Sequence, residues 1–393
     1  MSYHPFVGGA EVAVKEITDR ISPEEIEFHM ITLRYDSTLP LVQKIGNVTV
    51  YRIGFSIPHP DAADLKKFPL HLNKFFFQFL AAFKAASLHR ANKYDAVWAL
   101  MAHSSAVPAA IFKLLNPDIP YILTLQEGDP PEYIKRKMLP LYPLFKLGFT
   151  KADIVSAISV FLGKWAREMG FKGPLEIIPN GVDVKNFSRE FSAAELAAPR
   201  ADLGKKDGDV FLVTSSRLVK KNACDDVIRA LKLLPENFHF AIMGTGPDED
   251  ALKSLAEKFG LSGRVKFLGQ ISHEEMPKYL KVSDIFIRPS LSEGFGISFV
   301  EAFAAGLPVI ATQEGGIADF LFDPELNPEN PPTGLAVNPR EPEGIARQAK
   351  RLAGDAALRA RLIQNGLSLA SQKYDWNTIA RDMKDKVFDK FLK

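Results

Sequence analysis

Short runs of β-branched and aromatic residues alternate with segments of helical period along almost the whole chain. In the first half this pattern predicts strands at Glu27 to Leu33, Val48 to Ile53, Asp95 to Leu100, Tyr121 to Leu125 and Asp153 to Ile158. After a polar stretch from about 183 to 209 the rhythm restarts, with strands at Val210 to Thr214, His239 to Met243, Arg264 to Leu268, Asp284 to Ile287 and Pro308 to Thr312. Strands alternating with helices imply parallel α/β sheets. The prediction is two doubly wound, Rossmann-like domains facing a central cleft: residues 1–190, residues 191–371, and a closing helix, 372–393, that crosses back to the first. The opening segment, Met1 to Glu11, reads like the end of a strand and a glycine turn without the strand itself, so the first strand of the first domain is expected to be missing.

Ligands of such sheets sit beyond the carboxyl ends of the strands, where glycine turns lead into helix N-termini. Gly8 and Gly9, Gly244 and Gly246, Gly294 and Gly296, and Gly315 and Gly316 all fall in those places. Each pair alone could serve a tight turn; four together favour a phosphate-binding cleft.

The segment from Arg288 to Ile310 is the most informative. Its helical part, Ile297 to Ala305, is apolar except for Ser298 and Glu301, which predicts a buried helix. A buried carboxylate needs a partner, and sugar or ribose hydroxyls are suitable donors. Glu293 stands just before Gly294 and Gly296, where backbone N–H groups can approach a polar ligand. The competing reading pairs Glu301 with a core lysine or arginine and leaves Glu293 in a solvated loop. Upstream, Arg217, Lys220 and Lys221 follow a predicted strand; Arg217 could grip phosphate oxygens through its planar fork, with Lys221 adding a point charge. A solvated basic loop is the plainer alternative.

Composition narrows the class further. The chain has 393 residues, of which 46% are hydrophobic and 24% charged, as expected of packed globular domains. A net charge of +2 with scattered basic residues lacks the footprint of a nucleic-acid binder. A single cysteine, Cys224, allows no internal disulfide and no cysteine metal cluster, which points to a cytoplasmic setting. No signal peptide and no apolar run long enough to cross a bilayer is evident.

Taken together, Glu293 and Glu301 within Ser-Glu-Gly-Phe-Gly, the Ser-Arg-Leu-Val turn at 216–219, Gly244-Thr-Gly-Pro247 and Ile178-Pro-Asn-Gly-Val-Asp183 resemble the retaining glycosyltransferase family 4, also known as glycosyl transferases group 1. Gly8-Gly-Ala-Glu11 and Tyr374-Asp-Trp376 also match. The resemblance implies a GT-B fold and transfer of a hexose-type sugar from a nucleotide-diphosphate sugar to a glycan, lipid-linked or small-molecule acceptor, with retention and without a bound metal or other cofactor. It implies that Glu293 and the backbone through Gly294, Phe295, Gly296 and Ile297 contact the sugar. Glu301 would hold the ribose, and Arg217 and Lys221 the diphosphate. Gly9, Gly244, Gly246 and Gly316 would line the phosphates. Arg217, Lys221 and Glu293 are thus the expected catalytic residues.

Two places depart from the family pattern. The lysine often found five residues after the arginine, with a following glycine, is replaced by Asn222 and Ala223; Lys221 is preferred, with Lys220 as the alternative. Gln126 stands where many relatives have histidine, and His103, Gln126, Glu127 and Asp129 are the candidates for the acceptor side. The aromatic and lysine-rich stretches Lys66 to Lys84 and Tyr133 to Lys146 read as helices packed on the sheet, with contact to an anionic inner membrane face as a further hypothesis. Rival readings are a sugar-nucleotide epimerase, a nucleotide-sugar-binding protein that has lost catalysis, and a dehydrogenase; for the last, no GxGxxG follows a first strand.

Overall fold

The computed structural model describes residues 3–5, 8–61 and 63–392. It divides into two compact units, Met1–Asn180 with Trp376–Lys393, and Gly181–Asp375. The expected divisions after residues 190 and 371 therefore move to 180 and 375. The reason is local: the Val182 N–H donates to the Tyr374 carbonyl at 2.7 Å, and Val182 and Asp375 form an isolated parallel bridge, which holds both ends of the second unit together.

The second unit carries one six-stranded sheet. Its strands are β8 (Val210–Ser215), β9 (Phe238–Met243), β10 (Val265–Gly269), β11 (Ile285–Arg288), β12 (Val309–Ala311) and β13 (Gly334–Ala336), ordered β10-β9-β8-β11-β12-β13 and parallel throughout. Every residue of β11 and β12 is buried, as the unbroken apolar character of Ile285-Phe-Ile and Val309-Ile-Ala requires of strands covered on both faces.

The first unit is built differently. β1 (Phe28–Leu33), β2 (Val42–Ile45) and β3 (Val48–Ile53) form a sheet ordered β1-β3-β2, with β2 antiparallel to β3. β4 (Val97–Leu100), β5 (Tyr121–Leu125), β6 (Ile154–Ala157) and β7 (Leu175–Ile177) form a second sheet, parallel in that order. The described strands of this unit thus fall into two sheets, because β1 and β4 are not hydrogen-bonded to one another. Met1, Ser2, Phe6 and Val7 of the opening segment lie outside the described residues, and among the described residues no strand precedes the helix Gly9–Thr18. The helix Asn73–Asn92 buries Phe77 and Ala81, whereas Phe75 and Phe83 remain 51% and 62% exposed, so its aromatic residues serve the core on one face only. Among the described residues no helix is long and apolar enough to cross a membrane.

Candidate active site

In the second unit, four turns at the carboxyl ends of β8, β9, β11 and β12 are bound to one another through their backbones. The Ser216 N–H donates to the Met243 carbonyl and the Leu218 N–H to the Thr245 carbonyl, both at 3.0 Å, clasping the basic turn to the Gly244–Gly246 turn. A Cβ on Gly244 would lie 2.1 Å from the Ser216 carbonyl oxygen, so glycine is demanded here by backbone packing as well as by its φ of +131°. The Leu291 N–H donates to the Lys221 carbonyl at 2.7 Å, tying the helical turn Lys220–Asn222 to the loop after β11. Finally, the Gly316 N–H donates to the Glu293 carbonyl at 2.9 Å, and a Cβ on Gly315 would stand 2.1 Å from that same oxygen. The clasp brings the backbones of Arg217, Lys221, Gly244, Gly246, Glu293 and Gly316 together beyond the carboxyl ends of these strands.

Around this frame the charges are disposed unequally. Arg217 is exposed, while its carbonyl is held by the Asn222 side-chain amide at 2.6 Å, which fixes the turn and leaves the guanidinium facing water. Lys221 is half-buried. Gly296 caps the helix Ile297–Ala304, whose first N–H groups carry the positive end of the helix dipole. Phe295 is core rather than surface: its ring packs against Phe320 at 5.3 Å and Tyr374 at 5.4 Å, so only its backbone could meet a ligand.

Both glutamates have protein partners. The Arg288 guanidinium forms an ion pair with Glu293, whose side chain is 14% exposed. It also donates to Ser298 Oγ at 2.8 Å and Ser290 Oγ at 3.1 Å, and lies 4.3 Å from the centre of the Phe299 ring. Glu293 is therefore held and not a solvated loop residue. Glu301 is only 5% exposed, and its Oε1 lies 2.9 Å from His273 Nε2, so a half-exposed histidine takes the place in which a core lysine or arginine was considered. Sequence reasoning missed both partners. Arg288 carried a signal, because an arginine closing an otherwise apolar strand needs a nearby carboxylate; His273, on the loop after β10, carried none. Cys224 takes no part in this chemistry: burial pushes its thiol up to about 11, so it stays protonated at neutral pH.

The first unit gathers its own polar group beyond β4 and β5. Glu127 is buried and accepts from the His103 backbone N–H at 3.2 Å, at the start of the helix Ala102–Leu115, and from the Gln126 N–H at 3.0 Å. His103 Nδ1 stands 3.6 Å from the same carboxylate. Gln126 donates to the Asn180 carbonyl oxygen of its side chain at 3.3 Å, while its own Oε1 is buried without a partner. His103, Gln126 and Glu127 are thus brought together, with the half-buried Asp129 two residues on. Glu127 here satisfies a helix start as well as offering charge. Gly9 lies exposed at the first position of the helix Gly9–Thr18 in this same unit, whereas Gly244, Gly246 and Gly316 belong to the second.

Two family models match the chain in tandem, Glycosyltransferase Family 4 over residues 7–186 and Glycosyl transferases group 1 over residues 197–368. The chain belongs to glycosyltransferase family 4. An uncharacterized glycosyltransferase of Methanocaldococcus jannaschii is similar over nearly the full length, 26% identical across 96% of this chain and 93% of its own. A Mycobacterium tuberculosis enzyme, a GDP-mannose-dependent alpha-(1-6)-phosphatidylinositol monomannoside mannosyltransferase, is 30% identical over 59% of this family 4 chain and 61% of its own. The crystal structure of Anabaena HepE in complex with UDP-glucose superposes with a TM-score of 0.76, at 21% identity, over 99% of this chain and 98% of that one. The fold is GT-B, with two Rossmann-like domains.

Proposed function

We propose that this glycosyltransferase moves a hexose-type sugar from a nucleotide-diphosphate sugar to a glycan, lipid-linked or small-molecule acceptor, with retention and without a metal. The observation that carries the reading is the backbone clasp of the second unit, which gathers the turns that carry an exposed arginine, a lysine and the largely buried Glu293 beside the N-terminus of the helix that carries the buried Glu301. Arg217 and Lys221 would neutralise the departing diphosphate as the sugar gains oxocarbenium character, a stabilisation realised only in the transition state. Glu293, oriented by Arg288, would accept from sugar hydroxyls, and Glu301 would exchange its bond to His273 for the ribose. HepE was crystallised with UDP-glucose and the mycobacterial relative depends on GDP-mannose, which supports a nucleotide-sugar donor. A thermal-shift screen of UDP-, GDP- and ADP-sugars tests this, since a ligand that binds only the native state raises Tm. One donor class should raise it, and release of its nucleotide should require an acceptor; no shift with any class would sink the reading, and interconversion of the free sugar nucleotide would favour an epimerase.

Membrane contact belongs to the same proposal. Phe68, Phe75 and Phe83 are 79%, 51% and 62% exposed beside Lys66, Lys67, Lys74 and Lys84, a surface suited to anionic lipid. Cosedimentation with anionic, but not neutral, liposomes at low salt is expected, and its failure would remove this part.

A further inference from the structure

Glu301 sits where a carboxylate cannot do without a hydrogen-bond donor. Every residue from Ser298 to Ala304 of its helix is buried, and its own side chain is only 5% exposed. An ionised carboxylate so placed must be paired. Its Oε1 lies 2.9 Å from His273 Nε2, and since a carboxylate only accepts, that nitrogen is the donor. The histidine has the opposite setting. Its backbone is anchored: the Ser272 carbonyl just before it accepts from the N–H groups of Glu275 and Met276 at 3.1 and 2.9 Å, and the His273 carbonyl accepts from the Asn186 side chain at 3.3 Å. Its imidazole is 53% exposed and meets the buried Phe187 of the helix Val184–Phe187 edge to face, with ring centres 5.4 Å apart. Rotation about the side-chain bonds therefore carries the ring into water without moving the loop.

We infer that His273 is a latch on Glu301: the imidazole and the ribose hydroxyls of the donor nucleotide compete for the same carboxylate, and each leaves as the other arrives. The inference rests on the assignment of the ribose to Glu301 and adds to it the residue that sets how tightly the nucleotide is held. In the exchange the buried carboxylate is never left without a donor, and the displaced ring regains water. What the nucleotide must overcome is the His273–Glu301 contact. An ion pair with one partner half-exposed is weak, so the latch is closed roughly two-thirds to nine-tenths of the time. Apparent affinity is lowered by the inverse of the open fraction, about 3- to 10-fold. Substrate and product meet the same competition. The latch therefore also hastens loss of the nucleoside diphosphate after transfer, a step that limits turnover in many enzymes.

The test is calorimetry on the full chain with UDP, GDP and ADP, and with the 2′,3′-dideoxy form of whichever binds, for the parent and for His273→Phe, His273→Ala and His273→Gln. Phenylalanine keeps a ring against Phe187 and removes the donor, alanine removes both, and glutamine restores an N–H at the reach of Nε2. The ribonucleotide should bind His273→Phe and His273→Ala about 3- to 10-fold tighter than the parent, and His273→Gln within about twofold of it. The dideoxynucleotide has no hydroxyl to offer Glu301 and should bind no variant more tightly than the parent. No binding by any of the three nucleotides, or equal affinity of the parent for the ribo- and dideoxy forms, overturns the ribose assignment and this inference together. A parent that prefers the ribonucleotide, with His273→Phe and His273→Ala binding it equally or more weakly, overturns the latch alone and makes His273 a prop for Glu301. Equal tightening toward the dideoxynucleotide also overturns the latch, because the gain would then not pass through Glu301.

Discussion

The two units apply one architecture to different ends. In the second, six parallel strands form one sheet, and the turns beyond it are locked together by backbone hydrogen bonds and by glycines that admit no side chain. In the first, the seven strands among the described residues are divided into two sheets with a cavity lined by strands of both, and the polar cluster beyond β4 and β5 hangs on the buried carboxylate of Glu127. A continuous sheet lets each turn brace its neighbour, so charged groups can be held at fixed positions. An interrupted one cannot do this across the break.

The contrast can be attacked where it is strongest. Arg288→Met leaves the Glu293 carboxylate without its ion-pair partner, and a loss of about 3–5 kcal/mol in the stability of the second unit is expected in urea titration; Arg288→Met with Glu293→Gln should recover part of it. Arg217→Ala, which removes an exposed side chain, should leave Tm near that of the parent while lowering kcat roughly 100- to 1000-fold. A matching fall in Tm would mean that the clasp is scaffold alone. Glu301→Ala should weaken nucleotide binding about 10- to 100-fold by calorimetry, the range of hydrogen bonds to a charged group. Unchanged affinity would deny Glu301 the ribose.

For the first unit, Glu127→Gln should cost about 1 kcal/mol, because the amide still reaches the His103 N–H but no longer brings a charge to the helix start. An effect as large as that of Arg288→Met would erase the distinction between the units. The smallest expected effect is a pH dependence at His239, whose ring stacks on Phe211 at 4.8 Å and whose pKa burial lowers from the ordinary 6.5. A lowered native value means that the neutral ring is favoured in the fold. Its contribution is complete above about pH 6.5 and is lost as pH falls through the lowered value. His239→Phe should therefore lose less Tm than the parent between pH 7 and pH 5.

Much of this was legible because it is local. Strands at Tyr121–Leu125 and Ile154–Ala157 announce themselves as apolar runs, and the glycine turns mark the carboxyl ends at which a site can form. β2, β7 and β13 escaped notice: β2 is almost wholly exposed, and the three-residue β7 (Leu-Glu-Ile) and β13 (Gly-Leu-Ala) lack the branched apolar run that marks the equally short β12. The same limit hid the contacts of the two glutamates. Arg288 lies five residues from Glu293 and could have been inferred, but His273 and Glu301 are 28 positions apart on separate elements.

The sequence by itself determined the α/β alternation, the family and the glycine turns and charged residues of the candidate site, since periodicity and short motifs are properties of neighbouring residues. Tertiary structure alone decided that Gly244 and Gly315 serve backbone contact, that Glu293 and Glu301 are held by Arg288 and His273, and that β1 and β4 belong to separate sheets. Each of those depends on which distant backbones and charges meet, and strand pairing and ion pairing are chosen by the packing of the whole unit.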